Sequence, residues 1–177
     1  MAILRVDDFK AALKGGGARP NLFQATITFP VAANAGGDIG LTTFMCKAAQ
    51  LPASVMSPIP VGFRGRQIQV AGDRVFEPWV VNIINDTDFT VRNSMERWMN
   101  SINAHSANTG LTNPASYQSD MYVDQLDKDG TVLKKYAFRG AFPTNVAAID
   151  LAYDINDTIE EFAVEFQVQY WEAITTT

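Results

Sequence analysis

Cys46 and His105 are the single cysteine and the single histidine of this sequence. The side chains best suited to nucleophilic attack and to proton transfer near neutral pH are thus each present once. A Cys–His pair needs the two to meet in space. Cys46 falls in a predicted strand, where a lone cysteine is a small buried hydrophobe, and His105 falls in a polar loop. One thiol also excludes an internal disulfide and a zinc site built from several thiolates. Gly15-Gly16-Gly17 lacks the GK[ST] and the preceding strand of a phosphate loop and reads as a hinge. Asp127-Lys128-Asp129-Gly130 starts like a calcium loop but lacks the later ligands and the closing glutamate, so it reads as a hairpin turn. Glu161 and Glu165 share one face of a predicted strand, roughly 13–14 Å apart. A glycosidase pair needs roughly 5–10 Å. Two N-x-T triplets, at Asn85 and Asn156, matter only on a secretory route. Met1 to Lys14, with Asp7 and Asp8 and no continuous apolar run, does not read as a signal for it. The expectation is no catalytic residue, no cofactor, no metal and no enzyme.

The elements that would position these groups are mostly strands. Phe23, Ala25, Ile27 and Phe29 alternate with polar residues, the period of a half-buried strand. Ala32 to Gly40 reads as a loop and Leu41 to Ala48 as the return strand of a hairpin. Pro78 to Asn85 is apolar on both sides, as in a strand covered on both faces. Val91, Met95, Trp98, Met99 and Ile102 recur at helical spacing, with Asp88 or Thr90 as N-cap. Asn103 to Ser119 is a long polar loop. Met121 to Leu126 and Thr131 to Phe138 form a hairpin around Asp127–Gly130. Phe142 to Asn145 reads as a turn and Ala147 to Tyr153 as a further strand. In the last strand Phe162, Val164, Phe166, Val168 and Tyr170 face one way. The pattern predicts a mainly β fold, an antiparallel barrel or sandwich with one flanking α-helix.

Gln50 to Gly65 stands apart. Pro52, Pro58 and Pro60 argue against a central strand, yet Leu51, Val55, Met56, Ile59, Val61 and Phe63 are too apolar for a solvated loop. It reads either as an extended arm that docks on something else or as a loop folded back on its own core.

Length and composition set the frame. The chain has 177 residues, 47% hydrophobic, with 14 basic and 19 acidic side chains, hence a net charge of −5. A folded chain, not a disordered one, is expected at that balance. No run approaches the roughly 18 apolar residues of a membrane helix. One domain over 1–177 is expected, with an N-terminal arm over about 1–20. The stretch 140–177 contains seven acids and no Lys or Arg, and an acidic protein without a basic patch is ill suited to hold nucleic acid tightly.

Several segments, in order along nearly the whole chain, resemble the tail tube proteins of contractile-tailed bacteriophages. They are Ala18–Gln24, Phe44–Ala48 with Leu51-Pro52-Ala53, Ile59–Phe63, Val70–Arg74, Asn85-Asp86, Phe142–Val146 and Tyr170-Trp171-Glu172. The resemblance implies a tail-tube-like β-barrel subunit. Hexameric rings would stack into a hollow conduit inside a contractile sheath. The partners implied are further copies of the chain and the tail sheath, tape measure, baseplate and tail terminator proteins. DNA would pass through without specific binding, and this chain would insert in no membrane. The location implied is the virion tail tube, with the subunit made in the host cytoplasm. The inner tube of a protein-injection or type VI-like device is the near alternative. A β-barrel binding a small ligand through Trp79, Trp98 and Trp171 is the distant one.

Three expectations follow for the residues. Leu51, Pro52, Val55, Met56, Ile59, Pro60, Val61 and Phe63 would dock on the adjacent ring. Glu161 and Glu165 would face the lumen and repel DNA phosphates; alternatively, they solvate an outer face. The N-terminal segment and the loop over 103–119 would be mobile before assembly and order on it, at roughly 1–2 kcal/mol per residue of backbone.

Overall fold

The computed structural model describes residues 5–13, 15, 17–33 and 35–174. The opening of the expected arm and Gly16 of its glycine joint lie outside these residues. In chain order the elements are α1 (Val6–Ala12), β1 (Phe23–Thr26), α2 (Ile39–Met45), β2 (Cys46–Ala49), β3 (Ser54–Phe63), β4 (Arg66–Phe76) and β5 (Trp79–Ile84). Then come α3 (Thr90–Ile102), α4 (Pro114–Tyr117), β6 (Ser119–Leu126), β7 (Val132–Val146), β8 (Glu161–Gln167) and β9 (Tyr170–Ile174). Every strand pairing is antiparallel.

One bent strand, β7, organises the sheet. β7 pairs with β6 on one edge and with β8 and then β9 on the other. The first half of β7 belongs to a sheet with β1, β6 and β9, its second half to a sheet β7-β8-β5-β2. The corner is at Gly140, where φ is +61° and a Cβ would lie 2.8 Å from Gln169 Cγ, so a side chain there would strain the backbone and displace Gln169. The Gln169 N–H donates to Arg139 O across the bend. Arg139 braces the same corner, donating to the carboxylates of Asp120 and Glu172, which holds its guanidinium firmly charged.

The folded sheet closes over an aromatic core. Trp79 stacks on Phe138 with ring centres 4.4 Å apart, and Phe166 lies between Trp79 and Trp98. Both Trp N–H groups find backbone acceptors, Gln50 O for Trp79 and Tyr117 O for Trp98, as buried indoles require. α3 buries Val91, Ser94, Met95 and Trp98 and is the expected flanking helix. Its cap differs from expectation. Asp86 accepts from the Thr90 N–H at 2.9 Å, because Phe89 turns left-handed with φ +52° and brings the chain back over Asp86. Asp86→Ala is expected to cost about 0.5–2 kcal/mol, measured by urea unfolding, while Asp88→Ala changes stability by less than about 0.5 kcal/mol.

Local signals were overridden in several places. The segment from Ile39 to Met45 is a helix, not a return strand. Asp38 caps it through the Leu41 N–H, and Thr42 and Thr43 turn their hydroxyls back onto the carbonyls four residues earlier. Phe142–Asn145 is no turn but part of β7; Pro143 fits because β6 ends opposite Ala141 and leaves that edge open. Ala147–Tyr153 is not a strand: the Ala147 N–H donates to Ala163 O, and residues 147–160 then leave the ladder. Tyr170 does not continue the buried row of Phe162, Val164, Phe166 and Val168, because the chain bends before it into β9. β5 is covered on one face only: Trp79, Val81 and Ile83 are buried, and Asn82 is exposed. The polar stretch 103–119 contains α4, capped by Asn113, and is tied back by Leu111 N–H to Ser101 O and Ala104 N–H to Thr109 O.

Candidate functional site

The segment expected as a docking arm is the first strand of a β-hairpin, β3 with β4, paired from Ser54↔Phe76 to Phe63↔Arg66. Arg64 and Gly65 form its two-residue tip with φ +47° and +82°. Both central residues at positive φ mark the turn type whose twist matches a hairpin. Among the described residues the hairpin has no third strand, so half of its N–H groups need no ladder partner, and two prolines of the same parity are accommodated. They also discourage random strand addition along that edge.

Alternation and register sort the hairpin into two faces. Val55, Ile59, Val61 and Phe63 share one face with Ile68, Val70 and Val75 of β4. These seven apolar side chains are between 46% and 61% exposed, an unpartnered stripe of the kind that marks an interaction surface. Met56 and Pro60 point to the opposite face, with Gln67, Gln69 and Arg74. Leu51 and Pro52 lie before the hairpin, at its root. The expected docking set is therefore not one surface, and three of the seven apolar residues of that face, Ile68, Val70 and Val75, were missed. Its signal was present: the weak alternation at Gln67–Ala71, following an Arg-Gly turn, is the second strand.

The root of the hairpin is tied to the body of the subunit by tryptophans. Trp79 donates to Gln50 O, Trp171 donates to Ala53 O at 3.0 Å, and Phe76 packs edge-on against Trp171. Trp171 also meets Tyr136, so the projection is anchored in both half-sheets.

A second candidate surface is the outer face of the half-sheet β7-β8-β5-β2. Glu161, Ala163 and Glu165 point outward there, opposite Ile84, Asn82 and Val80 of β5. The two acids are not equivalent. Lys47 Nζ lies 2.5 Å from Glu161 Oε1 and compensates its charge. Glu165 has no ion-pair partner among the described residues and sits between Val80 and Asn145 in the register. Lys47 was missed because only the tertiary fold brings β2 to within reach of β8. The half-sheet is open at both sides, along β2 and along the Phe142–Val146 end of β7.

Chemistry is not what these surfaces supply. Cys46 is half-buried, and burial pushes its thiol up to about 11, opposite to what a nucleophile needs. His105 lies in an open depression near Glu96, Met99 and Asn145, and Cys46 is not among the residues that line it. Among the described residues no three His, Cys, Asp or Glu side chains gather as a metal set, and no helix is long and apolar enough to cross a membrane. Trp79 and Trp98 fill the core and Trp171 lies at the hairpin root, so the three do not line a shared ligand pocket.

Residues 18–174 match the family model described as phage tail tube protein, and the chain belongs to that family. It is 41% identical over 172 residues to tail tube protein gp19 of Enterobacteria phage T4, covering 94% of this chain and 99% of that one. It is 28% identical to the tail tube protein of Serratia phage KSP90, with 96% of each covered. In fold it is similar to the tube-terminating cap of the anti-feeding prophage, with TM-score 0.66, 17% identity and 90% and 92% of the two chains covered. A chain of the sheath–tube complex of the PVC extracellular contractile injection system gives TM-score 0.64 at 13% identity, over 98% and 100%. The chain is thus a tail tube protein, a structural part of the virion tail and not an enzyme.

Proposed function

We propose that this subunit forms hexameric rings by edge-to-edge pairing of the half-sheet β7-β8-β5-β2, and that the rings stack into a conduit for DNA. The observation that carries the reading is that half-sheet, open along β2 and along the end of β7, in a protein of the tail tube family. Open edges are a hazard in a monomer and become the joint in a closed ring. Copies joined this way turn the outer face, with Asn82, Glu165 and Gln167, toward a common lumen. Glu165 is the effective acid there, since Lys47 compensates Glu161, and a ring of unpaired carboxylates keeps a passing polyanion from sticking.

The apolar face of the hairpin docks on the adjacent ring. α1 buries none of its residues, and Phe9 and Leu13 are exposed, which suits a segment that orders on assembly. The loop over 103–119 has backbone bonds of its own and less left to order. A contractile sheath and a baseplate as outer and end partners are supported by the similar fold in the sheath–tube complex and in an anti-feeding prophage baseplate. The tape measure protein occupies the lumen during assembly, and the subunit is made in the host cytoplasm. The phage relative at 41% identity favours DNA over protein as cargo.

Electron microscopy of the concentrated chain, with a baseplate nucleus if needed, tests the reading. Hollow tubes with a regular ring repeat and Glu165 on the inner wall are expected. Glu165→Lys is expected to leave the ring repeat unchanged while DNA retention by the tube rises about ten-fold at low salt. Glu165 on the outer wall, or unchanged retention, refutes the lumen assignment.

A further inference from the structure

We propose that the hairpin of one subunit docks onto the loop over 147–160 of a second copy in the neighbouring ring, so that each chain carries a plug at one end and its socket at the other. The inference rests on the stacking reading above and names the acceptor that reading leaves open.

The topology separates the two features. The hairpin leaves β2 after Ala49 and rejoins the half-sheet at Trp79. The loop leaves β7 after Val146 and rejoins at Glu161. The β5–β8 ladder runs from Trp79↔Phe166 to Ile84↔Glu161, so the hairpin and the loop emerge at opposite ends of one sheet. A contact between two different surfaces at opposite ends repeats head to tail, the geometry of an open stack.

The surfaces complement each other. Leu151 and Tyr153 of the loop are 80% and 108% exposed, an apolar patch without cover. The same loop carries Asp150, Asp154, Asp157 and Glu160, with no Lys or Arg between 147 and 160, a charge of −4. The hairpin over 54–76 carries Arg64, Arg66 and Arg74 against Asp73, so 3 − 1 = +2. Two of these arginines flank the tip beside Phe63, and Arg64 lies over the Phe63 ring. Arg66 shares the apolar face with Phe63, while Arg74 lies on the opposite face; an apolar centre with charge at its rim is the anatomy of a specific interface. The charges orient and select the partner, while the apolar patch holds it.

Thiol cross-linking and charge exchange test the pairing. In tubes of the double variant Phe63→Cys with Tyr153→Cys, a short bismaleimide is expected to give a ladder of covalent oligomers on denaturing gels. Neither single variant is expected to give one, which also controls for Cys46. Tubes of normal form without a ladder overturn the proposal, as does a ladder from Phe63→Cys alone or capture of sheath protein instead. Should the cysteine pair prevent growth, charge exchange decides. Arg64→Glu with Arg66→Glu is expected to raise the concentration needed for growth by about ten-fold or more, and adding Asp150→Lys with Asp154→Lys restores it. No restoration overturns the acceptor. Normal wild-type tubes with neither ladder nor restoration refute only this pairing; a wild-type chain that grows no tube on a baseplate refutes the stacking reading itself.

Discussion

Removing residues 55–75 and joining Ser54 to Phe76 through an Asn-Gly turn is expected to leave a folded subunit that no longer elongates. The hairpin contributes no buried residue to the core; only Phe76, which is kept, packs against it. The anchors at its root also remain: Trp79 to Gln50 O and Trp171 to Ala53 O. Cooperative unfolding of the monomer should therefore survive, with a midpoint within a few degrees of wild type. Assembly should not survive. The deletion removes seven half-exposed apolar side chains from one face, and apolar burial stabilises association by roughly 25 cal/mol per Å² before ordering costs. Growth should fall about 100-fold or more, since each 1.4 kcal/mol is ten-fold. Light scattering and negative-stain microscopy read the outcome. Wild-type tubes would show that the hairpin docks on nothing required; loss of cooperative unfolding would show that it belongs to the fold after all.

Trp79→Ala is expected to destabilise the subunit by about 3–5 kcal/mol, a large share of the roughly 5–15 kcal/mol typical of a domain. Trp79 is 2% exposed, stacks on Phe138 and touches Phe166, so truncation opens a cavity between the two half-sheets. It also leaves Gln50 O without its indole donor. Trp79→Phe separates the two effects. It keeps a ring on Phe138, loses the hydrogen bond and leaves a smaller cavity than alanine does, at about 1–3 kcal/mol in all. Guanidinium unfolding followed by circular dichroism measures both. Equal costs for the two variants would show that the hydrogen bond, not the packing, dominates. Because Gln50 begins the segment that leads to the hairpin, Trp79→Phe should also loosen the hairpin root and raise hydrogen exchange at Leu51 and Ala53.

The family was legible in the sequence, from ordered segments spread over most of the chain. Strands with one buried face were legible as well: the alternation of Phe162, Val164, Phe166 and Val168 is a direct imprint of a pleat with a core on one side. The spacing of Val91, Met95 and Trp98 imprints a helix lying on that core in the same way.

What the sequence could not carry was anything decided by a partner distant along the chain. Ile39–Met45 has the β-branched content of a strand, yet Asp38 at its start and the contacts of α2 with β1 and β5 made it a helix. Phe142–Asn145 has the residues of a turn, yet β8 was there to pair with it, and the missing Pro143 N–H cost nothing on an open edge. The apolar arm was visible, but its division into two faces was not. Facing depends on register with β4, and a single-residue irregularity between Met56 and Pro58 is invisible to periodicity. Likewise Glu161 and Glu165 look alike in the sequence. Only the tertiary structure, by bringing Lys47 across from β2, neutralised one and left the other free, because charge compensation acts over ångströms in space and not over positions in the chain.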